Sequence, residues 1–234
     1  MTSDPTPEQA AETHRPTHRP TRWGVVVPVK PRGRAKSRLA ALGDDVRRDL
    51  VTAFTLDTVT AALECPEVGT VLVVTDDVGL ADLVLAAAAF ALPDGRPGDL
   101  NASLYQGAAE LDRRCPGTGL VALCADLPCL RPEELGLVLQ QAASSRQAFV
   151  ADAAGIGTTL YAAADLRSFA PAFGHASRAA HRDRGAVEIG AAAASVRRDV
   201  DTPEDLEAAR ALGLGPATSA ALHGARRGQP LVRG

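Results

Sequence analysis

Three apolar runs constrain what this chain can fold into. They are Gly24-Val25-Val26-Val27-Pro28-Val29, Val71-Leu72-Val73-Val74 and Gly119 to Ala125. None alternates with polar residues, and all are rich in β-branched or aliphatic side chains. That is the pattern of strands buried on both faces, as in a parallel sheet. Helical segments separate them. Asp44 or Asp45 opens a helix to about Leu63, with Val46, Leu50 and Phe54 on one face. A second helix passes through Leu80, Leu83 and Val84. Ala89-Phe90-Ala91-Leu92 is a short strand, Pro93 to Gly98 a loop, and Asn101 caps or opens a helix to about Asp112. The order βαβαβαβ predicts an α/β fold: three layers, Rossmann-like, with a mostly parallel central sheet.

The second half is read differently. Pro132 and two glutamates begin a helix over 133 to about 144. Ala148 to Ala151 and Thr158 to Tyr161 are short strands around Gly155 and Gly157, and Gly185 to Glu188 and Val196 to Asp199 are further strand candidates. Thr202-Pro203-Glu204-Asp205 starts a helix that runs to Gly213, with a Thr cap, Pro at the first position and an acid at the third. This half is expected to add antiparallel strands. Residues 1–21 lack large apolar side chains and are expected to be a disordered tail. Residues 22–216 form one domain, and 217–234 form a C-terminal tail that is at least partly disordered, notably His223 to Gly234.

Composition narrows the function. The net charge of −3 argues against wholesale nucleic-acid binding. No apolar run is long enough to span a bilayer and no leader opens the chain, so a soluble cytoplasmic protein is expected. Cys65, Cys115, Cys124 and Cys129 form no CxxC pair and read as reduced structural thiols; their spacing argues against zinc.

The chemistry is expected at the C-terminal edge of the sheet, where ligands of open α/β folds bind. The third apolar run stops at Asp126, and Pro128 bars its continuation as a regular strand. Asp126 is thus a candidate metal ligand at a strand tip. Asp199-Val200-Asp201 puts two more carboxylates on one face of an extended segment. The three together suit Mg²⁺, although Asp201 has the alternative of beginning the next helix cap. After the first strand, residues 30–38 carry Lys30, Arg32, Arg34, Lys36 and Arg38. This loop is either a solvated basic face or a site for a nucleoside triphosphate with Mg²⁺; it matches neither a Walker A loop nor GxGxxG. Gly155 to Thr159 and Phe173 to His181 combine glycine with hydroxyls, as anion-binding turns do. Ser177 is alternatively an N-cap. His175 and His181 are read as exposed or structural, since an anionic phosphate nucleophile needs no base.

These residues fall in one order: Val27-Pro28-Val29-Lys30, Ala35 to Ala40, Leu100-Asn101-Ala102-Ser103-Leu104, Ala125-Asp126-Leu127-Pro128, Gly155 to Leu160, Phe173-Gly174 with Ser177 and His181, and Asp199 to Leu206. The chain so read resembles the phosphoenolpyruvate / 2-phospho-L-lactate guanylyltransferases of coenzyme F-420 biosynthesis. That resemblance implies a glycosyltransferase-A-like nucleotidyltransferase fold. It implies that Thr158, Gly174 and Ser177 bind phosphoenolpyruvate, and that Asp126 and Asp199 hold Mg²⁺ with Asp201 beside them. Lys30, Lys36 and Arg38 would bind the triphosphate of GTP, with Asn101 facing the nucleotide. Asp126, Lys30 and Lys36 would carry catalysis. The implied reaction transfers GMP from GTP to phosphoenolpyruvate, and its labile product invites hand-over to the next pathway enzyme. The alternatives are 2-phospho-L-lactate as acceptor, a sugar-phosphate or molybdopterin nucleotidyltransferase of the same fold, and a non-catalytic nucleotide-binding protein.

Overall fold

The computed structural model describes residues 22–29 and 44–226. The expected tail over 1–21, the basic loop with Lys30, Lys36 and Arg38, and residues 227–234 lie outside the described residues. A sheet of seven strands runs in the order β3-β2-β1-β4-β6-β5-β7. The strands are β1 Trp23–Pro28, β2 Val68–Val74, β3 Phe90–Leu92, β4 Gly119–Leu123, β5 Gln147–Ala151, β6 Thr158–Ala163 and β7 Val187–Glu188. β1 is parallel to both β2 and β4, β2 to β3, and β5 to β7. β6 alone runs the other way, antiparallel to β4 on one side and β5 on the other.

The helices are α1 Asp44–Glu64, α2 Val78–Ala86, α3 Leu100–Arg114, α4 Pro132–Ala142, α5 Ser177–Asp183, α6 Ala194–Arg197, α7 Pro203–Leu212 and α8 Pro216–Arg226. Each central strand feeds two cores. Val25, Val27, Val71, Val73, Val121 and Leu123 face one side with Val59, Ala62, Val84, Val138 and Leu139 from α1, α2 and α4. Val26, Leu72, Val74, Leu120 and Ala122 face the other with Leu104, Ala108 and Leu111 of α3. Apolar side chains on both faces are why the runs show no alternation. The expected three-layer, mostly parallel architecture is therefore present. In α3, Gly107 is required by closeness: a Cβ there would lie 2.6 Å from Val26 Cγ1 and 3.0 Å from Val74 Cγ2.

Several boundaries differ from expectation. β4 ends at Leu123, short of Asp126, because α1 captures the chain beyond it. Thr58 Oγ1 accepts the Leu127 N–H at 3.1 Å. The cap of α3 is Asp99, whose carboxylate accepts the Ala102 N–H at 3.0 Å, and Asn101 sits inside the first turn. The strand expected over Val196 to Asp199 is instead the short helix α6 followed by extended chain. Tertiary contacts decide this: Ser195 N and Oγ both donate to Glu134 of α4, and the Arg197 guanidinium binds the Ala151 and Asp152 carbonyls. Of α5, the sequence offers only the N-cap reading of Ser177.

The C-terminal boundary also moves. The tail expected from residue 217 is helical through Arg226. A third core joins Leu50, Ala53 and Phe54 of α1 to Cys129, Val200, Leu206, Ala209 and Ala221. The cap of α8 comes from far away in sequence. Asp57, buried in α1, accepts the Ala217 N–H at 2.9 Å and the Thr218 N–H at 2.8 Å. Losing a carboxylate cap of this kind costs about 2–3 kcal/mol, more than a surface cap because the freed N–H groups are covered. Asp57→Ala should therefore lower stability in urea unfolding by that amount and expose α8 to limited proteolysis. A change below about 0.5 kcal/mol, the range of neutral surface substitutions, would show that α8 does not depend on Asp57.

Candidate active site

The reversed direction of β6 has a chemical consequence. β1, β4 and β5 all finish at one edge of the sheet, and β6 begins there. The ladder pairs Leu123 with Leu160, and Cys124 N–H continues it to the Thr159 carbonyl at 2.9 Å. Thr158, the first residue of β6, thus arrives beside the chain leading to Asp126. Along this edge lies a cleft of about 780 Å³. Asp126, Thr158, Gly174, Ser177, Asp199 and Asp201 all line it, together with Asp152, His175 and Arg198.

The acidic side is built from two segments bonded to each other. Val200 N–H donates to the Asp126 carbonyl at 3.1 Å. The Val200 side chain is fully buried in the third core, which turns Asp199 and Asp201 toward the cleft by simple alternation. Asp201 takes part in the start of α7 through its backbone, whose N–H donates to Asp205 Oδ2 at 3.2 Å. Thr202 is the N-cap of α7 and forms a reciprocal capping box with Asp205. Among the described residues no three acidic, histidine or cysteine side chains converge into a ready metal cage. Asp126 and Asp199 nevertheless offer hard oxygen donors on adjoining segments of an open cleft. That donor set fits a magnesium-like ion that takes one or two carboxylates and completes its shell with phosphate oxygens and water.

The other side is made of the two glycine turns, and they are joined. Arg178 N–H donates to the Ile156 carbonyl at 3.1 Å, and Arg178 Nη1 to the Gly155 carbonyl at 2.9 Å. Glu188 holds the Arg178 guanidinium in place at 2.9 Å. The first turn does not offer all the donors expected of it. Ile156 N–H and Gly157 N–H are taken by the Asp152 carboxylate at 2.9 and 2.7 Å. The hydroxyl residue it brings to the cleft is Thr158. In the second turn Gly174 has φ +147 and Ala176 φ +57. Gly174 adopts a backbone that residues with a side chain rarely take. Ser177 is the first residue of α5 rather than its cap, which is Ala176, and it is 2 % exposed.

Asn101 holds this second turn. Its Nδ2 donates to the Phe173 carbonyl at 2.9 Å and its Oδ1 accepts the Phe173 N–H at 2.8 Å. The side chain read as facing a nucleotide is thus engaged with the backbone next to Gly174. Lys30, Lys36 and Arg38 are outside the described residues, although Pro28 and Val29, which lead into them, line the cleft. Asp152 and Arg198 escaped the sequence reading because no spacing marks them; only the turn and the edge bring them here. All four cysteines are free, and burial pushes the thiols of Cys65 and Cys129 up to about 11, so these two are unreactive.

His181 lies beneath the cleft floor, fully buried. Its ring stacks on Tyr161 at 4.8 Å and on Phe149 at 5.5 Å between centroids. Nδ1 is 3.0 Å from Thr158 Oγ1, and Nε2 accepts the Ala172 N–H at 2.9 Å. Burial lowers the imidazole pKa from 6.5 to about 4, against the opposing effect of the Ser177 backbone and with the help of the Arg184 charge. Between those values the unfolded chain binds the proton and the folded one does not. The stability from keeping His181 neutral is complete above about pH 6.5 and declines as the pH falls toward 4. The loss should be roughly 2 kcal/mol by about pH 5. Urea unfolding at about pH 7.5 and about pH 5 should show it in the native chain and not in His181→Gln. Equal losses in both proteins would mean that His181 is not held neutral.

Comparison with known proteins places the chain. Residues 23–216 match the family model described as guanylyl transferase CofC like. A phosphoenolpyruvate guanylyltransferase of Streptomyces scabiei is 53% identical over 205 residues, covering 85% of this chain and 95% of that protein. One from Thermomonospora curvata is 49% identical over 199 residues, covering 85% and 87%. Among solved structures, a Methanothermobacter nucleotidyl transferase superposes with a TM-score of 0.57 at 20% identity, covering 82% of this chain and 97% of that one. That similarity carries the fold alone, which is the Rossmann-like nucleotidyltransferase fold. With an acidic pair and two glycine turns meeting at one sheet edge, and the family model spanning nearly all of the described chain, the protein belongs to the CofC-like guanylyl transferase family.

Proposed function

We propose that this chain transfers GMP from GTP to phosphoenolpyruvate in coenzyme F-420 biosynthesis, forming enolpyruvoyl-diphospho-5′-guanosine and pyrophosphate. The observation that carries this is the meeting, in one cleft, of the Asp126 and Asp199 carboxylates with the Thr158 and Gly174–Ser177 turns. One side suits a cation bound to a triphosphate, and the other suits a small acceptor with two anionic groups. The names of relatives aligned over most of their length support the same choice of substrates.

In this reading Thr158, Gly174 and Ser177 hold the acceptor's phosphate and carboxylate through hydroxyl and backbone donors. Asp126 and Asp199 would hold Mg²⁺, with Asp201 beside them, and Lys30, Lys36 and Arg38 would bind the triphosphate. The ion supplies charge neutralisation at the phosphates. A phosphate oxygen of the acceptor, already anionic, attacks the α-phosphorus in line. A new P–O bond forms there, the bond to the bridging oxygen breaks, and pyrophosphate leaves with that electron pair. No residue need remove a proton, so the protein's work is positioning and electrostatics. Asn101 acts on the acceptor side by fixing the turn before Gly174. The substrates are those of the cytoplasm, and the labile diphosphate product favours direct hand-over to the enzyme that consumes it.

Pyrophosphate release with GTP, ATP and CTP, each paired with phosphoenolpyruvate, 2-phospho-L-lactate and a sugar 1-phosphate, tests the assignment. GTP with phosphoenolpyruvate should be the fastest pair by about tenfold or more, which is about 1.4 kcal/mol of barrier; a different fastest pair would replace it. Asp126→Asn preserves shape and removes a charge, and should abolish turnover at saturating Mg²⁺. Activity within about tenfold of the native chain would rule out the metal role. Thr158→Val should raise the KM for phosphoenolpyruvate about ten- to a hundredfold and leave that for GTP unchanged. An unchanged phosphoenolpyruvate KM would displace the acceptor from this turn.

A further inference from the structure

We propose that His181 is a positioning residue for the acceptor: its imidazole presents a proton to Thr158 Oγ1, so that the Thr158 hydroxyl turns its own proton into the cleft, toward an anionic oxygen of the acceptor. The proposal rests on the reading of Thr158 as an acceptor-binding residue and adds what aims its hydroxyl.

The hydrogen bonds assign the tautomer. A backbone N–H only donates, and the one on Ala172 points at Nε2 from 2.9 Å. Nε2 must therefore carry a lone pair. A neutral imidazole has a single N–H, which then lies on Nδ1. Nδ1 is 3.0 Å from Thr158 Oγ1, so the threonine oxygen accepts in that contact, sharing the ring N–H with the Ser177 backbone. A hydroxyl has one proton of its own and rotates to suit its partners. With one lone pair engaged by His181, its proton points elsewhere, and no other hydrogen bond among the described residues claims it. Thr158 lines the cleft, so the open direction is toward the acceptor.

The ring is not free to choose otherwise. Tyr161 and Phe149 stack against it, and Phe173 meets it edge-on at 5.4 Å. A flip of the ring would replace both nitrogens by carbons and lose both hydrogen bonds. Protonating Nε2 would set two N–H groups against each other in a buried site, in keeping with the lowered basicity of the ring. The same ring braces both halves of the acceptor site. Nδ1 serves Thr158, while Nε2 and the Phe173 contact hold the residues just before Gly174. A histidine that only filled space would need neither polar contact.

Two substitutions separate these roles. Gln places an acceptor near the position of Nε2 and keeps the Ala172 bond, but offers nothing to Thr158. Asn places an N–H near the position of Nδ1 and keeps the bond to Thr158. His181→Gln should raise the KM for phosphoenolpyruvate about tenfold, with kcat and the GTP KM within about twofold. His181→Asn should stay within about threefold in all three. In a Thr158→Val background, His181→Gln should add nothing to the phosphoenolpyruvate KM. If Gln and Asn raise that KM alike, or if the double variant is worse than Thr158→Val, His181 acts by packing and the proposal falls while the acceptor site stands. If Thr158→Val alone leaves the KM unchanged, the acceptor assignment itself falls. A measurement on the native chain guards against variants that fold poorly. Nitrogen-15 NMR of labelled histidine should show His181 protonated on Nδ1, with its resonance shifting when phosphoenolpyruvate is added. Protonation on Nε2, or no shift at saturating acceptor, overturns the proposal.

Discussion

The site depends on the antiparallel ladder between β4 and β6. Every other neighbouring pair along the main sheet up to β4 is parallel, so those strands bring only their C-terminal ends to the ligand edge. A reversed strand between β4 and β5 brings its beginning to the same edge. Thr158 owes its place to that reversal. Were β6 parallel, Thr158 would lie at the far side of the sheet and the edge would hold the carboxylates without its hydroxyl. The antiparallel bonds are backbone bonds between fully buried strands, where an unpaired N–H or C=O is costly, so the register is strongly held.

Around this ladder, buried polar groups fix irregular chain segments where regular structure ends. Thr58 receives the Leu127 N–H next to Asp126, and Asp57 caps α8. Asp152 closes the first glycine turn, and Asn101 holds the second. Each of these places a loop whose own sequence does not determine its path. The outcome is a cleft lined by loops together with residues of α1 and α3, and those loops are pinned to the rigid layers beneath. Preorganisation of that sort is what a reaction without acid–base chemistry requires, since its barrier is lowered by position and charge.

The fold was legible where burial repeats itself along the chain. β1, β2 and β4 appear as unbroken apolar runs because both faces are covered, and α7 announces its start with Thr202, Pro203 and Asp205. Residue types singled out Asp126, Thr158, Gly174, Ser177, Asp199 and Asp201, and all six line one cleft. What was misread involves partners distant in sequence. Val196 has strand-like neighbours but sits in a helix fastened to α4 through Glu134. Residues 217–226 lack a local cap, yet are ordered by Asp57 and by Ala221 in the third core. Asn101, read as capping or opening a helix, lies inside the first turn of α3, and its side chain bonds the Phe173 backbone.

The sequence by itself determined the elements and the chemistry available to them. Apolar periodicity sets which segments are strands or helices, and the residue types set which groups can bind cations or anions. Tertiary structure decided the direction of β6, the joining of the two glycine turns through Arg178, and the tautomer of His181. The physical reason is that hydrogen bonds between distant segments carry no local signature. A buried histidine shows the same letter whether it stacks idly or aims a hydroxyl; only the N–H of Ala172 and the oxygen of Thr158, on either side of its ring, distinguish the two.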